Sequence, residues 1–252
     1  MLKKRIVFLS IITLLIVSCT SKKEIVYFQN AKDFETVVNT DTFTPKFKIN
    51  DILSITISAF DLEAVRPFNL VRETGGTGGT REIDYLIDKD GYIDYPILGK
   101  IKLLGLTIEE AKALFKEKLK EYLKDPIVNI RIQNFRISVL GEVNNPGTYQ
   151  ISGERITILE ALGLASDLTI KGRRDNVMVI RDFDGTKTYT RIDLTTKESL
   201  NSPVYYLTQN DIVYVEPNKS AISASKSDGR IGTILTIASI VITTSAIIIT
   251  RN

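Results

Sequence analysis

The most constraining feature of the sequence is a long uncharged run close to its C-terminus. It extends over the twenty residues from Ile231 to Thr250 and is framed by Arg230 and Arg251. A helix that rises about 1.5 Å per residue would cover about 30 Å over this run, which matches the hydrocarbon core of a bilayer. The sequence therefore predicts a transmembrane helix at residues 231–250.

The predicted helix carries a stripe of small or hydroxyl-bearing side chains. Steps of three and four residues place the stripe on one helical face, and small residues on such a face let helices approach closely. We expect the stripe to form a seam between copies of the helix or to line a pore. In the alternative interpretation the helix is only an anchor, and its hydroxyls donate to carbonyls of their own helix. The stripe consists of Gly232, Thr236, Ser239, Thr243, Ala246 and Thr250.

The N-terminus has the pattern of a bacterial lipoprotein signal peptide over residues 1–18. Three basic residues, Lys3 to Arg5, precede the apolar run Ile6 to Val17, and Cys19 follows Ser18. The end of this run resembles a lipobox, which implies cleavage before Cys19 and lipidation of its thiol. Lipidation explains a single cysteine in an exported chain better than a buried structural cysteine does. Residues 19–44 are then expected to form a lipidated tether.

Composition excludes several classes of function. The chain contains no histidine and one cysteine, which excludes histidine-based catalysis, histidine-ligated metal sites and internal disulfides. Its net charge is +3, and the three basic residues of the leader account for it, so nucleic-acid binding has no electrostatic support. Nothing in the sequence fixes the carboxylate pair that glycoside hydrolysis needs. We therefore expect no enzymatic activity, no cofactor and no metal.

Residues 45–133 are predicted to form a first soluble domain. Asn50 and Asp51 form a turn before a strand rich in β-branched residues. The stretch from Tyr85 to Leu104 is predicted to be a hairpin with its tight turn at Asp90-Gly91. Calcium is an alternative for the neighbouring aspartates, but no glutamate closes a calcium-binding loop there. These aspartates are Asp88, Asp90 and Asp94.

An amphipathic helix is predicted at Thr107 to Leu123 in this domain. Thr107 and Glu110 have the spacing of a capping box, and Asp125-Pro126 ends the pattern. An alternating strand over residues 128–132 follows it. The predicted buried face of the helix consists of Ile108, Ala111, Phe115, Leu119 and Tyr122.

Residues 134–217 are predicted to form a second α+β domain. A turn at residues 144–147 joins two strands, and a second capping box, Thr157 with Glu160, opens a short helix from Ile158 to Ala165. Asp184-Gly185 predicts another hairpin. Asn210-Asp211 repeats the Asn50-Asp51 turn, so both domains are expected to begin a strand in the same way. Residues 218–230 are interpreted as a linker.

Three ordered motifs give the chain its resemblance to a known family. They are residues 90–111 with the preceding Asp51, the GEVNNPGTY segment at residues 141–149, and LTQNDIVYV at residues 207–215. With them the chain resembles bacterial outer-membrane polysaccharide export lipoproteins that carry one soluble ligand-binding β-grasp (SLBB) domain. The residues that match the family motifs are Asp51, Gly91, Pro96, Gly99, Gly105, Thr107, Gly141, Pro146, Gly147, Tyr149 and Asp211.

The chain departs from the family pattern in two respects. Asn50 and Asn210 stand where the family usually has glycine, and Ala165-Ser166-Asp167 replaces Ala-Gly-Gly after the second helix. Asparagine tolerates the left-handed conformation, so we expect both turns to survive. Gly147 is also expected to take a positive φ.

The resemblance implies an α+β fold with a polysaccharide export domain, a β-grasp domain and one C-terminal transmembrane helix. It further implies a homo-oligomeric ring in the outer membrane of a Gram-negative bacterium, lipid-anchored in that membrane, with mainly periplasmic soluble domains. Such a ring is a passive conduit for capsular polysaccharide or exopolysaccharide. The implied partners are the polysaccharide chain and an inner-membrane copolymerase. The alternative is a periplasmic glycan-binding lipoprotein that is anchored by its last helix and forms no pore.

Overall fold

The computed structural model describes residues 25–34, 43–74, 79–183, 185–226, 236–237, 239–240 and 243–244. The predicted signal peptide, Cys19 and residues 227–235 lie outside the described residues. So do Gly232, Ala246 and Thr250 of the predicted stripe.

The first domain, residues 43–133, is built on a three-stranded antiparallel sheet covered by a helix. Its strands are β1 (Ile52–Ser58), β2 (Val71–Thr74), β3 (Gly79–Glu82), β4 (Tyr85–Leu86), β5 (Tyr92–Tyr95), β6 (Gly99–Lys102) and β7 (Ile127–Ile132), and its helices are α1 (Leu62–Val65), a 3₁₀ turn (Arg66–Phe68) and α2 (Ile108–Leu119). The sheet order is β4-β1-β7, and β2-β3 and β5-β6 are separate hairpins.

The alternation along β1 separates a core face from a polar face. Leu53, Ile55 and Ile57 are buried and pack in one cluster with Phe115 of α2. The intervening residues Ser54 and Thr56 point away from that cluster, because successive strand residues face opposite sides. One side of this sheet is therefore a hydrophobic core, and the other is polar.

Helix α2 confirms the predicted capping box. The backbone N–H of Glu110 donates to Thr107 Oγ1 at 3.2 Å, and the N–H of Thr107 donates to Glu110 Oε2 at 2.8 Å. The first four residues of the predicted apolar face are buried. The fifth, Tyr122, was predicted wrongly: α2 ends at Leu119, so Tyr122 leaves the helical periodicity and is 51% exposed.

The hairpin predicted at Asp90-Gly91 is built differently. A turn is present there, since Asp88 Oδ1 accepts from the N–H groups of Asp90 and Tyr92 at 2.9 and 2.8 Å. However, β4 before this turn pairs with β1, and β5 after it pairs with β6 across Pro96–Leu98. The prediction of a hairpin about Asp90-Gly91 was therefore wrong in its pairing, because partners within the domain compete with the sequence neighbour.

The second domain, residues 135–217, is a five-stranded sheet with one helix. Its elements are β8 (Arg136–Gly141), β9 (Gly147–Gln150), β10 (Ile156–Thr157), α3 (Ile158–Leu164), β11 (Gly172–Phe183), β12 (Thr186–Ile192), a 3₁₀ turn (Lys197–Asn201), β13 (Tyr206–Leu207) and β14 (Ile212–Pro217). The sheet order is β12-β11-β14-β8-β9, in which β14 and β8 are parallel. The second capping box opens α3, and β11 and β12 form the hairpin that Asp184-Gly185 predicts.

The transmembrane helix predicted at residues 231–250 is corrected by the structure. Among the described residues no helix is both long enough and apolar enough to cross a membrane. The described residues include helix α4 (Lys219–Lys226), and the predicted span is described only at three helical pairs. Ser239 Oγ donates to Thr236 O at 2.8 Å, and Thr243 Oγ1 donates to Ser239 O at 2.7 Å, so both hydroxyls bond within their own segment.

The physical reason is that a membrane crossing needs an unbroken helix of about twenty residues in addition to apolar composition. The uncharged run meets the requirement of composition, and none of the described helices meets both requirements. The described residues accordingly form an α+β fold in which the predicted transmembrane helix is not seen, and the remainder of residues 231–250 lies outside the described part of the chain.

Candidate functional site at the junction of the two domains

Two turns of the same design meet where the two domains join. They are Lys48–Asp51, which leads into β1, and Thr208–Asp211, which leads into β14. In each turn the last N–H donates to the first carbonyl, at 3.2 and 3.1 Å, and the aspartate Oδ2 accepts from the first N–H at 2.8 Å. The asparagine at the third position has a φ of 68° in the first turn and 65° in the second. The predicted repeat of the turn is confirmed.

Asn134, between the two domains, binds both turns. Its Oδ1 accepts from the N–H of Ile52 and its Nδ2 donates to Asn50 O, both at 2.9 Å. Its own carbonyl accepts from Gln209 Nε2 at 2.6 Å. One residue therefore fixes the two turns relative to each other. Because Asn134 looks like ordinary linker in the sequence, no local pattern indicated this contact.

The side chain of Lys48 makes a direct link between the domains. Its Nζ donates to Thr208 Oγ1 at 2.8 Å, and the same hydroxyl donates to Asp211 Oδ1 at 3.1 Å. Burial lowers the pKa of Lys48, and the negative charges of Asp211 and Asp51 oppose that change. The ammonium group lies between the carboxylates of the two turns.

Asp211 is a fully buried carboxylate with a complete set of partners. Arg181 of β11 donates to it from Nε at 3.1 Å and from Nη2 at 2.7 Å, in the two-pronged geometry that suits arginine and carboxylate. The other Arg181 contact is with Tyr206 O at 2.9 Å. The pair thus ties β11, β13 and β14 together, and its arginine was not identified from the sequence.

Asp51 is equally buried but incompletely bonded. It is 1% exposed, and its Oδ1 has no hydrogen-bond partner among the described residues. Burial raises its pKa from 3.8 to about 6, against the opposing effects of the Lys48 N–H and the Lys48 ammonium. The sequence gives the two aspartates the same turn, whereas the surrounding structure gives them different electrostatics.

Most of the other motif residues of the first domain shape the backbone. Gly91 and Gly105 have φ values of 86° and 82°, and a Cβ on Gly91 would lie 2.4 Å from the Leu104 Cβ. Pro96 and Gly99 form the β5-β6 turn, and Thr107 caps α2. These positions are spread over the domain and do not form one pocket.

The structure also corrects the prediction for the glycines in the motif of the second domain. Gly141, rather than Gly147, has a positive φ, of 91°, and a Cβ there would lie 2.1 Å from Val215 O. A Cβ on Gly147 would meet only the Tyr149 ring, at 3.8 Å. The prediction for Gly147 was wrong because the close approach of β8 and β14, rather than the turn itself, demands glycine.

The turn between β8 and β9 packs against the loop after α3. Asn145 Nδ2 donates to Ser166 Oγ at 2.7 Å, and the Tyr149 hydroxyl donates to Asn145 O, next to Pro146. Ser166 and Asp167 have φ values of 58° and 66°, which is the left-handed conformation that the Gly-Gly of the family pattern adopts without strain. The departure from the family motif therefore keeps the backbone shape at some cost in strain.

An N-terminal arm, residues 25–34, is docked on the second domain. The N–H of Gln29 donates to Thr195 O at 2.7 Å, and the Tyr27 hydroxyl donates to Asp167 Oδ1 at 2.5 Å. The guanidinium of Arg174 lies 5.4 Å from the centre of the Tyr27 ring. The described part of the predicted tether is thus held by the second domain.

A polar cleft lies on the solvent side of the first sheet. It encloses about 230 Å³ and is lined by side chains of β1, β7 and the end of β3. Its lining consists of Ser54, Thr56, Glu82, Asn129, Arg131 and Gln133. The alternation predicted at residues 128–132 indicated one polar face on β7. The pairing of β1 with β7 was needed to join the polar faces of the two strands into one cleft.

Comparison with known proteins gives these two domains their family. Residues 42–133 match the family described as polysaccharide biosynthesis/export protein, and residues 135–215 match the SLBB domain. The two matches in this order support a polysaccharide export protein that carries an SLBB domain. The first domain is hereafter the export domain and the second the SLBB domain, and the junction of the paired turns lies between them.

Two relatives share one name. They are EPS I polysaccharide export outer membrane proteins, named EpsA, of Ralstonia solanacearum and Ralstonia nicotianae. Each is 28% identical to this chain, over 141 and 150 residues respectively, which are 54% and 57% of the chain. The matched regions span 37% and 39% of the relatives, so the chain covers well under half of their length.

Proposed function

We propose that this protein acts in the export of capsular polysaccharide or exopolysaccharide across the outer membrane. The observation that carries the proposal is the order of the two matched domains, an export domain followed directly by an SLBB domain. The relatives that share this region are described as export proteins of the outer membrane. In this proposal the protein is a passive component, and polymer synthesis and an inner-membrane copolymerase supply the direction of transport.

The finer part of the proposal is a homo-oligomeric ring that surrounds the polymer. The junction supports it, because Asn134 and the Lys48–Thr208 contact hold the export and SLBB domains in one fixed arrangement. Repeated subunits close a ring only if each has a constant shape. We further propose that Cys19 carries the lipid that holds the ring to the outer membrane, with the two domains in the periplasm.

The export role is tested by deletion of the gene in the native bacterium and complementation with the full chain. We expect the deletion strain to lose surface polysaccharide while polymer inside the cell remains at least as abundant, because synthesis continues without export. Complementation should restore the surface polymer. A deletion strain with normal surface polymer would contradict the proposal, and loss of both pools would indicate a role in synthesis instead.

Lipidation and assembly are tested separately. Incorporation of labelled palmitate should be lost in Cys19→Ser and retained in the neighbouring control Ser21→Ala. The mass of the detergent-extracted complex should be a multiple of the chain mass. A monomer would contradict the ring while leaving the export role intact, and would favour a glycan-binding lipoprotein.

A further inference from the structure

The polar cleft of the export domain has the shape of a receptor site. Its floor is formed by two cross-strand pairs, Ser54 opposite Arg131 and Thr56 opposite Asn129. Glu82, at the end of β3, forms a wall and accepts from Thr56 Oγ1 at 2.8 Å. That contact holds the β2-β3 hairpin over the sheet, so the polar face is a concave cleft rather than a flat surface.

Several polar groups in the cleft have no partner in the part of the chain that the structure describes. Among the described residues, the side chains of Ser54, Asn129 and Arg131 make no hydrogen bond or ion pair. Two other surface arginines are paired, Arg191 with Glu216 at 2.7 Å and Arg66 with Glu63 at 3.1 Å. The guanidinium of Arg131 is thus available to an external acceptor.

We propose that this cleft binds one acidic sugar unit of the exported chain, a residue that bears a carboxylate. The inference rests on the proposed export function and adds the chemistry of its substrate. Arg131 presents a planar fork of donors that matches a carboxylate. Ser54 and Asn129 each offer both a donor and an acceptor, and Glu82 offers acceptors, which suits the hydroxyl groups of a sugar ring.

The size of the cleft limits the ligand to a small unit. Pockets for drug-sized molecules have volumes of about 300 to 1,000 Å³. This cleft, at about 230 Å³, is smaller, so it accommodates one sugar residue while the chain continues in solvent on both sides. A solvent-exposed site that binds one sugar residue allows the polymer to bind and then dissociate, as transport requires.

The experiment is a nuclear magnetic resonance titration of the full chain in detergent with two hexasaccharides. One is a hexamer of galacturonic acid and the other is the neutral hexamer of galactose. The acid hexamer should shift the side-chain amide signals of Asn129 and Gln133 and bind at least about tenfold more tightly than the neutral one. Inorganic phosphate should bind more weakly than the acid hexamer, because it cannot use the hydroxyl-binding groups.

Three variants locate the contact. Arg131→Gln should weaken binding of the acid hexamer about tenfold or more and remove the preference over the neutral hexamer. Arg131→Lys keeps the charge but loses the fork, so it should give an intermediate loss. Lys118→Gln is the matched control, since it removes one exposed positive charge on α2, on the opposite side of the sheet, and should leave binding unchanged.

The possible outcomes distinguish the inference from the proposed function. Equal binding of both hexamers, no binding of either, equal binding of phosphate, or an equal effect of Arg131→Gln and Lys118→Gln would each overturn the acidic-sugar site. If the gene deletion abolishes surface polymer in those cases, the export function stands without the site. If the site is found but the deletion leaves surface polymer normal, the protein binds acidic glycan without exporting it.

Discussion

The Lys48–Asp51 and Thr208–Asp211 turns have one backbone design and two electrostatic environments. Both place a buried aspartate so that Oδ2 accepts from the first N–H of the turn at 2.8 Å. Arg181 completes the partners of Asp211. In Asp51, by contrast, one oxygen has no hydrogen bond to any described residue, and the opposing charge that acts on it is the Lys48 ammonium. The comparison shows that a local motif fixes the turn but leaves the charge state of its aspartate to the rest of the fold.

The difference matters for the stability of each domain. Removal of a buried carboxylate that is fully paired is costly, because its partner is left buried and unpaired. A buried carboxylate without sufficient partners raises the free energy of its own ionised form. The same substitution in the two turns should therefore have opposite consequences.

The largest expected effect is that of Asp211→Asn. The substitution leaves the Arg181 guanidinium, whose side chain is 16% exposed, without a counter-charge. Breaking a buried pair in this way costs about 3 to 5 kcal/mol of unfolding free energy. Urea unfolding of the purified chain at pH 7 measures the change.

The control for this variant is Asp182→Asn. Asp182 forms an exposed ion pair with Lys187 at 3.0 Å, and such pairs contribute at most about 1 kcal/mol. Similar losses in the two variants would show that the Arg181–Asp211 pair is not the source of the difference between the turns.

The second largest effect is on the pH dependence of the unfolding free energy, part of which Asp51→Asn should remove. The pKa of Asp51 is about 6 in the folded chain against 3.8 ordinarily, so between these values the unfolded state loses its proton while the folded state keeps it. The wild type should therefore lose stability as pH rises from about 4 to 6, by up to roughly 3 kcal/mol, and no more above pH 7.

In the variant, the neutral amide oxygen still accepts from the Lys48 N–H and does not titrate. Asp51→Asn should accordingly be as stable as the wild type at pH 7, or more stable, and lose this part of the pH dependence. The measurement is the unfolding free energy of both proteins from pH 4 to 8. Parallel curves over the whole range would show that Asp51 is not the strained carboxylate of the pair.

The smallest effect concerns the asparagines with positive φ. Asn50→Gly relieves the left-handed conformation without breaking a side-chain bond to any described residue, whereas Asn210→Gly loses the Oδ1 acceptor of Arg136 Nε, at 3.3 Å. Both changes should stay within about 0.5 kcal/mol, with Asn50→Gly the more favourable. Thermal unfolding midpoints suffice to rank them.

A branched side chain at the same position provides the contrast. Asn50→Val cannot adopt the left-handed conformation easily and should cost about 1 to 2 kcal/mol. If valine were tolerated as well as glycine, the φ of this turn would not matter for stability.

Helix caps and turns, whose contacts join residues close together in the sequence, were predictable from the sequence. The capping boxes of Thr107 with Glu110 and Thr157 with Glu160 are complete over four residues, and both open a helix. Two asparagine turns were predicted for the same reason, since asparagine tolerates a positive φ. The repeated Asn-Asp pattern also placed Asp51 and Asp211 correctly in equivalent turns.

Predictions that depended on a distant partner failed or could not be made. The Asp90-Gly91 turn does not connect two strands that pair with each other, because β4 pairs with β1. Glycine was required at Gly141, where β14 approaches, and not with a positive φ at Gly147. Nothing local in the sequence indicated that Asn134 would bind both turns.

The sequence by itself determined the two turns, the helix caps, the alternation of the strands and the motifs that resemble export proteins, because these depend on residue types within a few positions of one another. The tertiary structure alone decided which aspartate is paired with arginine, which strands meet and where the polar faces of β1 and β7 combine into a cleft. Such contacts join residues as far apart as Lys48 and Thr208. Their energies depend on burial and on the complete set of neighbours, which only the folded chain brings together.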